Sequence, residues 1–397
     1  MARKGMAGKE LQEENLHQKE RPFRRLFPGP ALIILELLTL GFLILGSDNQ
    51  TERFSGLSSL LKFPASVLEA ASETDKASSS NAGDYIKWVD FTVTSEAMGQ
   101  ALRYDVDSYQ SELHYNWIEL LAYLGARYGG DFSHYQEKDM DDLVTRLQNG
   151  ASMKELTDIL KYYPYYLEAY TAVLGGLVGL CQIQIPDEAA KEPVWVTKYG
   201  LKAFSPIAKN FPYHDYDDFG ASRSYGYKRT HLGHDLIGQV GTPVIAVESG
   251  YVEAIGWNQY GGWRLGIRSF DQKRYYYYAH LRKNYPYHKS LKEGSIVQAG
   301  DVIGYLGRTG YSTTENTNNI DEPHLHFGLQ LIFSPSQKDS PNEIWIDCYE
   351  LTKFLTLNRS ETVKNQETKE YYRVWQMKDP AIPGEAPQQI MEEKPAS

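Results

Sequence analysis

The segment Asp321–Leu331, DEPHLHFGLQL, sets His324 and His326 one residue apart inside an apolar run. Read as a strand, it alternates its side chains between faces. Both imidazoles then project from one face, while Leu325 and Phe327 enter a core on the other. This reading makes the surrounding region a β-sheet and places two proton- or metal-binding groups side by side. Histidine is also common on exposed strand faces, so the pair alone leaves site and surface open. What decides is which other groups can meet it in space.

The neighbouring sequence has strand texture throughout. From EPVWVTKYGL (192–201) onward, β-branched and aromatic runs alternate with Gly-, Asn- and Asp-rich turns: TPVIAVESGYVEAIGW (242–257), WRLGIRSF (263–270), RYYYYAHL (274–281) and GSIVQAGDVIGYLG (294–307). These are strand signals at hairpin spacing. Two of the segments carry further chemistry. THLGHD (230–235) holds His231 and Asp235 four apart, a spacing that can face one point from a helix or an extended segment, with Gly233 favouring the extended path. RYYYYAHL ends near His280. Two histidines, one carboxylate and an open fourth position form a catalytic zinc set, in which the metal acidifies water and polarises a carbonyl.

Taken in order, H-x-G-x-D, a Tyr-x-His-Leu strand end, GDVIGYLGRTG (300–310) and PHLHF (323–327) resemble the M23 family of zinc metallopeptidases, the LytM/lysostaphin group, over about residues 195–335. The resemblance implies a mainly antiparallel β peptidase domain, the duplicated hybrid motif, and a Zn2+ cofactor. It implies His231, Asp235 and His326 as metal ligands and His280 and His324 as the catalytic proton-transfer pair. It further implies hydrolysis of peptide bonds in peptidoglycan stem peptides or cross-bridges by a zinc-activated water. Trp257, Asn258, Tyr260, Trp263 and Tyr311 are candidate walls of a peptide groove, and they read equally well as core and turn residues of the sheet. TTENTNNIDE (313–322) is a longer polar insertion than a compact family member carries, placed to form a rim or lid. His234 lies at the wrong offset for a ligand, and His214 and His288 sit in loop-like contexts. YHDYDDFG (213–220) is a remote candidate for an inhibitory metal ligand.

The rest of the chain sets the context. Its 397 residues are too many for one ordinary domain and suit two plus connectors, and 42% hydrophobic content is enough for real cores. A net charge of -10 argues against nucleic acid as a partner. Cys181 and Cys348 stand far apart, form no Cys/His cluster, and read as two small buried hydrophobes. Residues 31–46 are apolar except for Glu36 and Thr39, slightly short of the about 20 residues of a spanning helix. Arg21, Arg24 and Arg25 precede this run, so the positive-inside bias predicts a membrane anchor over 27–46, a cytoplasmic segment 1–26 and an extracytoplasmic remainder. A signal peptide cleaved near Gly46–Ser47 competes with the anchor, but more than twenty residues precede the apolar run, which is long for an n-region.

A Ser/Ala-rich linker follows at 47–83, then an all-α domain at 84–190. There NWIELLAYLGARYGG (116–130) and DMDDLVTRLQNG (139–150) place apolar residues at helical spacing, and SMKELTDILKYY (152–163) opens with the capping box Ser152/Glu155. Pro164 is expected to break or kink that run before the last apolar segment, YYLEAYTAVLGGLVGL (165–180). Glu119 is the one tempting acid for a second wall-lytic activity, but the pattern gives it a solvated face and no carboxylate partner. The helical domain is expected to be a spacer or to dock a wall or protein partner. The peptidase-like domain is set at 191–345, a helical extension at 346–375 and a disordered tail at 376–397. The competing function is non-catalytic: a peptidase-like scaffold in an extracytoplasmic sporulation or cell-division complex. All five site residues are present, which favours the enzyme.

Overall fold

The computed structural model describes residue 86 and residues 89–187, 192–224, 228–338 and 340–384. The expected cytoplasmic segment, anchor and linker lie outside the described residues. Among the described residues, no helix is long and apolar enough to cross a membrane.

The helices form where the periodicity places them, and their ends carry the expected stops. Trp117–Tyr128 is capped by the Asn116 side chain, which accepts from the amides of Ile118 and Glu119. It ends at Gly129 with φ 65°. Glu137–Gln148 buries Met140, Leu143, Val144 and Leu147 on one face. The capping box at Ser152/Glu155 is present, but its helix stops at Thr157, and Ile159 is 86% exposed. Pro164 does not break a helix. It lies in the first turn of the next one, Tyr163–Leu174, where its missing N–H has no partner to lose.

After Leu174 the apolar run leaves the helix and becomes a strand, Val178–Ile185, which pairs with Val194–Leu201 and with Met377–Lys378. The boundary expected at 190 therefore falls within a hairpin. Short apolar runs containing glycine read alike for helix and strand, which is why the sequence misleads here. The C-terminal extension also differs from expectation. It holds one short helix, Tyr349–Leu355, and then the hairpin Thr362–Lys364/Tyr371–Arg373. Cys181 and Cys348 are both free and buried.

The main sheet is antiparallel, with strands in the order Ile296–Val297, Gly250–Asn258, Gly262–Ser269, Arg274–Ala279, His324–Leu331, His234–Gly238 and Tyr213–His214. Ile344–Ile346 pairs additionally with His324–Leu331, which is therefore central. On that strand Leu325, Phe327, Leu329 and Leu331 are fully buried. His324 and His326 occupy the opposite face, half-buried, as the alternation requires. Tyr276 and Tyr278 pack against Phe327 with ring centroids 6.2 and 5.4 Å away, so the sheet is anchored directly beneath the two histidines.

One buried ionic knot ties the helical part to this sheet. Arg274 donates to both oxygens of Glu248 at 2.7 and 3.0 Å, to Asp271 at 2.8 Å, and to the carbonyl of Ala172 near a helix end at 2.9 Å. Tyr276 adds a hydroxyl donor to Glu248 at 2.7 Å. Gly176 belongs to the same knot, since a Cβ there would collide with the Glu248 carboxylate.

Candidate active site

The register of the central strand assembles the site. His326 lies directly across from Asp235 on one neighbouring strand and from Ala279 on the other, the residue before His280. His231 enters from the turn before the Asp235 strand. Gly233 is needed between them because a Cβ at that position would stand 2.5 Å from the His326 ring.

The three expected ligands converge. His231 Nε2 is 3.1 Å from Asp235 Oδ1 and 3.0 Å from His326 Nδ1, and His326 Nδ1 is 2.9 Å from the same carboxylate oxygen. Ligand atoms about 2.0–2.1 Å from a tetrahedral zinc lie about 3.3 Å apart, so this triangle is nearly the size the ion needs. The donor chemistry fits as well. His231 Nδ1 donates to the Asp218 carbonyl at 3.2 Å, with the Asp218 carboxylate 3.1 Å away. A carbonyl can only accept, so Nδ1 carries a proton, and in the neutral form of the ring Nε2 presents its lone pair. Lone pairs from a ring nitrogen and a carboxylate thus face one point, and a cation satisfies them together.

The electrostatics follow from burial and contact. Burial works to raise Asp235, but the close contacts with His231 and His326 outweigh it and hold the carboxyl far below its usual range. Burial lowers His326, only partly offset by its bond to Asp235. Burial, reinforced by His324 and His326, holds His280 well below the usual imidazole value, so that ring is neutral.

The two expected proton-transfer residues stand beside the triad. His280 and His324 have ring centroids 4.8 Å apart, and His280 is 5.8 Å from His326. His280 Nδ1 donates to the Thr309 carbonyl at 2.8 Å and His324 Nδ1 to the Glu322 carbonyl at 2.8 Å. By the same argument Nδ1 carries a proton in both rings, and Nε2 of His324 lies 3.7 Å from Asp235 Oδ1. His280 adopts φ 60°, left-handed for a non-glycine residue, and its amide is held by the Gly261 carbonyl at 2.7 Å. Strain of this kind persists where surrounding bonds over-determine it.

The structure separates the five candidate groove residues. Tyr311 borders the site, with its ring centroid 5.6 Å from His280. Tyr260 lines an adjoining cleft of about 470 Å³ with Gln259, Tyr311 and Ser312. Asn258 ends its strand, and its Oδ1 accepts from the amides of Tyr260 and Gly261 in the turn that follows. Trp257 and Trp263 face each other across the hairpin, centroids 5.6 Å apart, and Trp263 donates to Asn316. The polar insertion is pinned as a rim: Asn316 also accepts from the Asn284 amide, and Asn319 donates to the Tyr311 carbonyl. His234 is buried and pairs with Asp215 at 2.9 Å. The YHDYDDFG segment provides Asp218, the partner of His231, in place of an inhibitory ligand. Asp218, Arg223 and Arg229 escape a reading of motifs because their spacing to the ligands carries no periodicity. Only the density of charge in 215–229 marks that region.

A histidine–aspartate–histidine cluster able to hold a metal ion, set on an antiparallel sheet and flanked by two further histidines, fits a metal-dependent hydrolase type of site. Residues 229–339 match Peptidase family M23, and the chain carries a domain of that family. The L-Ala–D-Glu endopeptidase of Bacillus subtilis (strain 168) is 39% identical over 124 residues, covering 31% of this chain and 36% of that protein. The lysostaphin of Staphylococcus staphylolyticus is 40% identical over 113 residues, covering 28% of this chain and 21% of that protein. The solved catalytic domain of lysostaphin from Staphylococcus simulans is 33% identical, covering 36% of this chain and 92% of that one, with a TM-score of 0.28. The chain thus spans well under half the length of either curated relative.

Proposed function

We propose that this chain is a zinc metalloendopeptidase that hydrolyses peptide bonds in peptidoglycan stem peptides or cross-bridges, tethered to a bacterial membrane by residues 27–46 with the catalytic part outside. The convergence of His231, Asp235 and His326 beside His280 and His324 carries this reading. The likeness to an L-Ala–D-Glu endopeptidase and to lysostaphin, which falls on this part of the chain, supports the substrate class. Zinc held by the triad would supply a Lewis acid for the scissile carbonyl and acidify water. The chain's own residues do the rest. Asp218 holds His231 in the ligating tautomer, and the Thr309 and Glu322 carbonyls do the same for His280 and His324. Nε2 of His324 and of His280 then accepts the proton of the attacking water and returns it to the leaving amine.

The test is to treat purified peptidoglycan with the full chain and identify new amino termini by mass spectrometry. Termini from stem or bridge peptides, released only when zinc is bound, are the expected result. Zinc-loaded protein that releases none would turn the reading towards the non-catalytic scaffold.

A further inference from the structure

Beside the ligand triangle lies a cavity of about 260 Å³ whose lining includes Asp235, His324, Tyr311, Arg223, Arg229 and Glu322. Its two arginines are in different states. Arg223 is already neutralised, since its Nη2 contacts the Asp218 carboxylate and lies 3.4 Å from Asp235 Oδ2. Arg229 has no carboxylate at ion-pair distance among the described residues. Its guanidinium is laid over the Tyr311 ring at 4.7 Å, and its Nε is buried with no hydrogen-bond partner. A buried guanidinium N–H without a partner is costly, and a planar stacked fork is the group best shaped to take a carboxylate. Glu322, the other anion of the cavity, is exposed on the rim. The cleft on the far side of Tyr311 differs in kind, being lined by Gln259, Ser312, Thr313, Thr317 and Asn319, all uncharged.

We infer that Arg229 reads a substrate carboxylate, so that the preferred substrate is a peptide carrying a free α-carboxylate next to the scissile bond, not a neutral glycine bridge. The inference rests on the peptidase reading and deepens it by naming the substrate class. The anion enters the Arg229 side of the site, and the neutral stretch of the peptide lies along the amide- and hydroxyl-lined cleft. Tyr311 separates the two and positions the guanidinium.

The experiment compares three probes with the zinc-loaded full chain: a stem peptide whose D-glutamyl α-carboxylate is free, the same peptide with that group as a carboxamide, and pentaglycine. Both kcat/KM and the calorimetric Kd are read. The protein should favour the free acid over the amide about tenfold or more in both, as expected for a hydrogen bond to a charged group. Arg229→Gln should bring both ratios close to one with zinc content unchanged, and Arg229→Lys should restore part of the preference. Equal handling of acid and amide by the unmodified chain, or an Arg229→Gln variant that keeps the full preference, overturns the inference. Cleavage of pentaglycine but of neither stem peptide also overturns it and leaves the peptidase reading standing. If no probe is cut, the peptidase reading fails, and the Kd ratios still decide whether Arg229 reads the carboxylate.

Discussion

His324 and His326 share a strand face but not a chemical environment. Nδ1 of His326 sits in the ligand triangle, whereas Nε2 of His324 lies outside it, 3.7 Å from Asp235. His326→Ala should therefore lose zinc, and His324→Ala should retain it while turnover falls about 10²–10⁴-fold. Metal analysis beside a peptidoglycan digestion assay separates the two, and equal zinc loss in both variants would count against the assignment. Asp218 holds the opposite nitrogen of His231, so Asp218→Ala should weaken zinc binding about 10–100-fold, measured by competition with a chelator. Strand alternation and the H-x-G-x-D spacing are local properties and marked His324, His326, His231 and Asp235, whereas the place of His280 and the division of roles came from the resemblance to the M23 family. Asp218 and Arg229 were not legible, because their roles come from loops whose approach to the ligands is set by the fold and not by any period.

At the scale of elements, the central strand is fully specified by its own sequence: alternating burial and a Phe327 clamped by Tyr276 and Tyr278 leave it one register. A one-residue slip would turn both histidines into the core. The helices with strong apolar stripes and Asn or Ser caps were equally readable. The element that misled was Val178–Ile185, since its apolar residues suit either structure and only pairing with Val194–Leu201 and Met377–Lys378 decides. Arg274, on the strand next to His324–Leu331, shows how long-range contacts carry what local patterns omit. It is 1% exposed, and its charge is met by Glu248 and by the Ala172 carbonyl. Arg274→Met leaves Glu248 buried with the Tyr276 hydroxyl but no countercharge, and should lower stability by about 3–5 kcal/mol, read from the urea midpoint at constant m. A change below about 1 kcal/mol would mean that water reaches Glu248 and the knot is not closed.

At the scale of the molecule, the helical part and the sheet behave as one compact unit from residue 82 onward. The sequence pointed instead to two domains, because composition changes near 190 while the joining contacts are a buried arginine, Gly176 and a returning C-terminal strand. These contacts have no sequence signature of their own. They have a thermodynamic one. The three ligands lie on a turn and on two strands, so their convergence exists only in the folded chain, and zinc should bind that state alone. Free zinc at about a hundred times its Kd should then add about 2.7 kcal/mol to the unfolding free energy. If the Arg274 knot couples the two parts, that increment appears equally in the helical far-UV signal and in the tyrosine and tryptophan fluorescence of the sheet. Chelation removes it from both. A helical transition that ignores zinc while the sheet transition moves would show that the knot does not transmit folding energy, and that the two parts unfold as separate bodies despite sharing a buried ion pair.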